Sequence, residues 1–460
     1  WKSFLAAPRS HVQSPSREKP NVSSSQFNIL LWGHDSLSRN MFIRKLPLTY
    51  NYLMDTLNGV VLKGYNIVGD GTPQALIPML TGQTEQELPE TRKRKGSLAK
   101  FVNVYPFIWD ECKKRGYLTG YMEDSPNIGT FTYRLKGFDQ APTDFYMRPY
   151  FIAAQAAYND FRKYCIASVP RHQVMMNYGA DADLQEFFQQ LRTSGALNNT
   201  VLMIFSDHGN RFASIRESQQ GKQEERMPMV MFVFPPSFKE LHRRASENFL
   251  RNSQILSTPF DIHATLKDLL RFSSLSEEYF SQPHETRDRQ LSLFRPIFPD
   301  RTCKDASIEP HWCACLQWHV LNTSLPSVDK AALEFVDYVN ANLANQTTLC
   351  APLTLKQVLW AANLFPSEEL LHFKRTADAD GFLPDLSDKT AISKSTLQLK
   401  LETLPGLGRF EVSLQHDLFT NSFQFNMQDI SRINKYGNQA SCVEDNLEHL
   451  RKFCFCLDQN

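Results

Sequence analysis

A chain of 460 residues is long enough for two or three domains with a sizeable core, and its formal net charge of +1 gives no electrostatic argument for a nucleic-acid or acidic-membrane partner. Hydrophobic residues make up 42% of it and charged residues 22%, ordinary globular usage, so partners have to be read from individual sites. No run of about 18 apolar residues occurs, and no membrane span is expected within the chain.

Residues 1–26 are rich in Ser, Pro and basic side chains and read as a disordered stalk or leader. A chain that opens on Trp1 rather than Met is expected to be mature or truncated, with room for a signal or anchor before it. Phe27 to Trp32 is a short apolar run closed by Gly33, the pattern of a strand buried on both faces, and His34-Asp35-Ser36 follows at once. Gly69-Asp70-Gly71-Thr72-Pro73 leads into an apolar segment ending Leu80-Thr81-Gly82, which suggests a tight turn into a helix. The basic run Arg92 to Lys95 reads as a solvated loop rather than a nucleic-acid site.

Pro106 to Arg115 is predicted as a short helix stopped by Gly116, and Tyr117 to Met122 as a strand. Leu184, Phe187, Phe188 and Leu191 share a helical face ended by Gly195, and Thr200 to Phe205 is the next strand, leading to Asp207-His208-Gly209. Met229 to Phe234 is another apolar strand, and Thr258-Pro259 opens a helix through Leu270 with a cap and an N1 proline. This alternation predicts an α/β fold, a mostly parallel sheet flanked by helices, with ligands beyond the carboxyl ends of its strands.

After about Pro299 the character changes. Val328 to Leu343 is helical, and Leu397 to Leu401 alternates like a half-exposed strand. Phe410 to Leu414 alternates too, with Pro405-Gly406-Leu407-Gly408 as the turn between them, so a small antiparallel sheet is expected. The expected division is a leader over 1–26, an α/β domain over 27–300, and a smaller cysteine-rich C-terminal region over 301–460. Of nine cysteines, only Cys112 and Cys165 precede Cys303, Cys313, Cys315, Cys350, Cys442, Cys454 and Cys456. The late CxC clusters suit disulfides better than zinc ribbons, and the odd count leaves at least one thiol free or paired with another chain. Glycosylation sequons begin at Asn21, Asn198, Asn322 and Asn345. Together these features point to the extracellular space or the secretory-pathway lumen.

The chemistry-bearing residues gather at predicted strand ends. Asp35 follows one buried strand and Asp207-His208 another, so a parallel sheet would deliver two carboxylates and an imidazole to one rim, a donor set suited to zinc or manganese. Alone, the Asp-His pair reads as a capped strand end with a hydrogen-bonded histidine rather than as a metal site, and Thr72 reads as a helix cap. His34, beside Asp35, is read as supporting the site rather than as a ligand. Arg211 and Arg216 are candidates to grip a phosphate bidentately, or an exposed loop pair, and His263 is expected to pack.

Asp35-Ser36-Leu37-Ser38-Arg39, Gly69-Asp70-Gly71-Thr72, Leu80-Thr81-Gly82, Pro142-Thr143-Asp144-Phe145, Ser206-Asp207-His208-Gly209 and Glu224-Glu225-Arg226-Met227-Pro228 stand in an order and spacing that resemble a sulfatase-like family, domain of unknown function 229. The resemblance runs from about Phe27 to Cys456 and implies an alkaline-phosphatase-like fold. It further implies one divalent metal, zinc or manganese, held by Asp35, Thr72, Asp207 and His208, with Thr72 as the nucleophile of a hydrolase or transferase. A sulfatase of this superfamily carries a Cys, oxidised to formylglycine, ten positions before the Gly of Leu-Thr-Gly, where this chain has Thr72 (82 minus 72). Phosphoester chemistry is therefore expected, ahead of a binding glycoprotein with a degenerate site and, third, a sulfuric ester hydrolase. The family pattern also has a strand ending Ser-His-Asp or Ser-His-Asn before the helix that precedes Ser206. This chain runs from Cys165 through His172 to Tyr178 without one, so no ligands for a second metal site are legible.

Overall fold

The computed structural model describes residues 27–157, 177–212, 214–364, 373–378, 381–384, 394–435, 437–444 and 447–457. The leader, the Asn21 sequon and residues 165–176, where the family pattern has its further strand, lie outside them. Two compact units form, from the described residues of Trp1–Asn210 with Gln219–Ala314, and of Arg211–Ser218 with Cys315–Asn460.

In the first unit, β1 (Asn28–His34) is followed by α1 (Arg39–Lys45), β2 (Val60–Val61), α2 (Thr72–Thr81), α3 (Asn177–Thr193), β3 (Thr200–Ser206), α4 (Gln219–Arg226), β4 (Val230–Val233) and α5 (Pro259–Leu270). The four strands form one sheet in the order β1-β3-β4-β2. The unbroken apolar run of β3 has the physical reason expected of it. Val201 and Met203 face one core with Val230 and Phe232, while Leu202 and Ile204 face another with Phe42, Phe188 and Met231. The sheet is thus the middle layer of a mixed α/β unit.

Two expectations need correcting. β1 packs against a core on each face, through Ile29 and Leu31 on one and Leu30 and Trp32 on the other, but among the described residues it pairs only with β3 and most of its positions are half-buried rather than buried. Among the described residues the main sheet is also only partly parallel. β1 and β3 run parallel, but β4 is antiparallel to β3, and β2 to β4. The link after β3, residues 207–229, carries α4 and returns the chain to the end of the sheet it left, with Phe205 opposite Val230, so β4 runs back along β3. Two further parallel pairs of two-residue strands stand apart, and the predicted strand Tyr117 to Met122 contracts to Gly120–Tyr121.

The second unit contains β5 (His319–Leu321), α6 (Pro326–Leu343), β6 (Thr354–Leu364), β7 (Lys394–Leu404), β8 (Gly408–Asp417), β9 (Ser422–Gln424) and β10 (Ile430–Arg432). β5 to β9 form an antiparallel sheet in reverse chain order, with β10 also on β8. The hairpin turns at Pro405-Gly406-Leu407, where Gly406 takes φ 80°. Val328, Ala331, Ala332, Phe335 and Val339 make the apolar stripe of α6 and bury it with Leu399, Leu401 and Phe410. β7 is not half-exposed: its polar face is covered too. Gln398 donates to Ser413 Oγ at 2.7 Å, and Lys400 donates to the Glu217 carbonyl at 2.8 Å, so these buried polar groups are satisfied.

Disulfides join Cys303 to Cys313, Cys350 to Cys454 and Cys442 to Cys456, while Cys112 and Cys315 are free. Asn198, Asn322 and Asn345 are all exposed. No helix among the described residues is long and apolar enough to cross a membrane.

Candidate metal centre

The centre follows from the pairing of β1 with β3. The strands run parallel in a register that ends His34 opposite Ser206, so the next residues, Asp35 and Asp207, leave the sheet side by side. Both loops are then pinned to each other. Leu37 N donates to Ser206 Oγ and Ser36 N to Asp207 Oδ1, each at 2.9 Å, and Ser206 Oγ donates to the His208 carbonyl at 3.0 Å. Thr72 reaches the same rim from α2, whose start is set by Gly71 at φ 93° and Pro73 and whose end is Gly82 at φ 72°.

Oxygens and nitrogen converge there. Thr72 Oγ1 donates to Asp207 Oδ2 at 2.6 Å. The other oxygen, Asp207 Oδ1, accepts the His208 N–H at 2.8 Å besides that of Ser36, which fixes the carboxylate plane. His208 is 1% exposed, and its Nδ1 lies 2.8 Å from the Gly209 carbonyl, an acceptor only, so Nδ1 carries the proton. The Nε2 lone pair is therefore turned into the site. Among the described residues it is buried with no hydrogen-bond partner, 3.2 Å from Asp207 Oδ2 but out of alignment for a bond, and 3.9 Å from Asp35 Oδ1.

Three lone-pair donors with no donor facing Nε2 repel one another unless a cation or proton stands between them. Ligand atoms of Asp35, Asp207 and His208 lie within 4.8 Å of one another. Metal–ligand bonds of about 2.0–2.2 Å set tetrahedral ligand atoms about 3.4 Å apart, so small side-chain movements suffice, and the donor set fits zinc or manganese. Nδ1–H donation to a carbonyl is the usual orientation of a metal-binding histidine. Asp35 is 48% exposed, which opens the site to solvent on that side.

Several contributing residues have no role assigned from the sequence: Ser38, Gly209 and Glu224 stand in the family motifs, and Tyr65 carries no signal. α4 carries charged side chains that are nevertheless buried, among them Glu224. Burial pushes the Glu224 carboxyl up, but hydrogen bonds from Arg44, Gln220 and Ser38 outweigh this and hold it below the usual range. Ser38 Oγ donates to it at 2.8 Å while capping α1, which ties the loop of Asp35 to α4. Gly209 lets α4 pass: a Cβ there would stand 2.0 Å from the Glu224 carbonyl, and Gly209 N donates to the Glu225 carbonyl at 2.9 Å. The Tyr65 hydroxyl is buried without a hydrogen-bond partner, and burial, then Asp261 and Asp207, raise its pKa well above the ordinary value.

Other candidates do not join the cluster in this way. His34 accepts from Trp32 Nε1 at 3.2 Å. Arg216 is fully buried in an ion pair with Glu411 at 3.2 Å, so it is withdrawn as a phosphate contact. Its guanidinium needs a buried counter-charge, and Glu411 of β8 supplies one. Arg211 stands 5.2 Å from the Phe212 ring centroid. His263 packs under α2, with Nδ1 3.2 Å from the Met79 carbonyl, and burial pushes its pKa down to about 4.

A mixed α/β unit with a carboxylate-imidazole-hydroxyl cluster at one sheet rim is thus the class of protein defined. Residues 2–181 and 179–359 match the family described as "Protein of unknown function (DUF229)", and the chain belongs to that family. No curated protein matches it. Among solved structures it is similar to an alkaline phosphatase superfamily protein from Vibrio parahaemolyticus, at 12% identity over 94% of this chain and 86% of that one, with a TM-score of 0.39. A Bacteroides thetaiotaomicron protein from the metabolism of multiple glycosaminoglycans aligns at 13% identity over 95% and 93% of the two chains, TM-score 0.34. Lipooligosaccharide phosphoethanolamine transferase A of Neisseria meningitidis aligns at 10% identity over 55% of this chain and 56% of its own, TM-score 0.35.

Proposed function

We propose that this protein is a metal-dependent hydrolase or transferase acting on a phosphoester, with Thr72 as nucleophile and Asp35, Thr72, Asp207 and His208 as ligands of one zinc or manganese ion. The observation that carries this reading is the partnerless Nε2 of His208 beside two carboxylates, one of which already accepts the Thr72 hydroxyl at 2.6 Å. When bound, the cation supplies charge that lowers the pKa of a hydroxyl and neutralises charge developing on a phosphoryl group.

The chain's own groups do the rest. Thr72 Oγ1 attacks phosphorus and passes its proton to Asp207 Oδ2, while the ester oxygen departs on the opposite side of phosphorus and takes a proton from solvent; the proton on Asp207 returns to Thr72 when the intermediate is cleaved. Water or an acceptor hydroxyl then displaces Thr72 and restores its hydroxyl. The position of Thr72 in the first turn of α2 favours an anion at that end of the helix. A threonine cannot supply the aldehyde hydrate of sulfatases, which supports phosphoryl over sulfuryl chemistry. Three disulfides and three exposed sequons support a secreted glycoprotein.

A second reading, a binding glycoprotein without turnover, is favoured by one observation: β1 is half-exposed along the strand that carries Asp35. Metal content and turnover of phosphodiester and sulfate-ester substrates by wild type, Thr72→Ala and Asp207→Ala separate the two. The enzymatic reading expects stoichiometric metal in wild type and phosphodiester turnover lost in both variants. Absent metal, with all three proteins equally inactive, leaves the binding reading.

A further inference from the structure

We propose that Ser36 is a positioning residue of this centre, which couples the two ligand carboxylates to each other through its main chain and its side chain at once. This rests on the metal reading above and concerns how the ligands are held.

Ser36 takes φ 61°, a left-handed conformation that L side chains rarely adopt. From there its N–H donates to Asp207 Oδ1 at 2.9 Å and its hydroxyl to Asp35 Oδ1 at 2.8 Å. Each bond has a distinct consequence. The N–H, with that of His208, occupies Oδ1 of Asp207 and leaves Oδ2 for Thr72 and a cation. The hydroxyl restrains an oxygen of Asp35, a half-exposed carboxylate that would lose side-chain freedom on binding a metal.

The unusual backbone is held from both sides. Before it, His34 ends β1 in register with Ser206. After it, Leu37 is buried and its N–H is taken by Ser206 Oγ, and Ser38 is fixed by α1 and Glu224. Strain over-determined by its surroundings is a property of functional sites. Were left-handed geometry the sole requirement, glycine would meet it without steric cost, so a serine here has a use for its hydroxyl.

That contrast gives a test in which affinity and stability part company. Ser36→Gly and Ser36→Ala both lose the hydroxyl, but only the glycine relieves the backbone. Zinc and manganese affinity is measured by calorimetry, and the Tm of the metal-free protein by thermal unfolding, with Asp207→Asn as the control that removes a ligand. The expected result is a Kd weakened about 10-fold in both variants, as for other groups that orient metal ligands. The metal-free Tm of Ser36→Gly is expected within about 3 °C of wild type and above that of Ser36→Ala. Unchanged Kd in both variants, with wild type binding metal and Asp207→Asn not, overturns the role of Ser36 alone. Failure of wild type to bind either metal overturns the centre itself.

Discussion

Gly209 sits between His208, a proposed ligand, and α4, so Gly209→Ala is a sharp perturbation. An added Cβ would stand 2.0 Å from the Glu224 carbonyl oxygen, 2.6 Å from its carbon and 2.8 Å from the Glu225 Cα. All three are main-chain atoms, so no rotamer change relieves them. Reaching even the shortest tolerated contact moves the end of α4 by about 1 Å, at a cost of about 1–3 kcal/mol for overpacking. The Gly209 N–H bond to Glu225 adds about 0.5–1.5 kcal/mol if it breaks, for about 1.5–4.5 kcal/mol in all. Gly33→Ala is the matched control, because its Cβ would meet only the Phe205 ring tip at 2.7 Å, a side chain able to swing. Urea unfolding should show Gly209→Ala destabilised by at least about 1 kcal/mol more than Gly33→Ala, and calorimetry should show its zinc affinity reduced. Equal stability of the two variants would refute the packing reasoning.

Burial holds the folded pKa of His263 at about 4, below its ordinary value of about 6.5. Between those values the unfolded chain binds more protons, so stability should rise from pH 4 to pH 6.5 by at most about 3 kcal/mol, and the slope should flatten in His263→Gln. Arg216→Met removes a buried partner of Glu411, leaving Lys400 Nζ 3.9 Å away, and should cost up to about 3–5 kcal/mol in unfolding while leaving zinc affinity unchanged. Cys350–Cys454 spans 104 residues and Cys442–Cys456 spans 14, so the paired Cys→Ser replacements should cost about 4–5 and about 3 kcal/mol respectively on the chain-entropy model, read by urea unfolding.

What was legible in the sequence was governed by local pattern. The run from Thr200 needs two buried faces whatever its neighbours, and Thr258 with Asp261 and Pro259 forms the cap of α5 from adjacent residues alone. The ligand residues were legible for the same reason, since each directly follows a strand or opens a helix. Pairing partners were not local. The same apolar composition that makes β3 central leaves β1, among the described residues, at an edge, and the direction of β4 depends on which end of the sheet the chain re-enters, which composition does not reveal. Buried charge was the least legible: Glu224 meets Ser38 across 186 positions and Arg216 meets Glu411 across 195, so neither reads as anything but surface. The alternating strand was read as half-exposed because nothing in its own pattern shows that its polar face is covered.

Anomalous diffraction from crystals soaked in zinc tests the existence of the centre most directly. A single strong peak is expected at the zinc edge, within bonding distance of Asp35, Asp207, His208 Nε2 and Thr72 Oγ1. Data that place no zinc there while Nε2 of His208 hydrogen-bonds a carboxylate or water would contradict it.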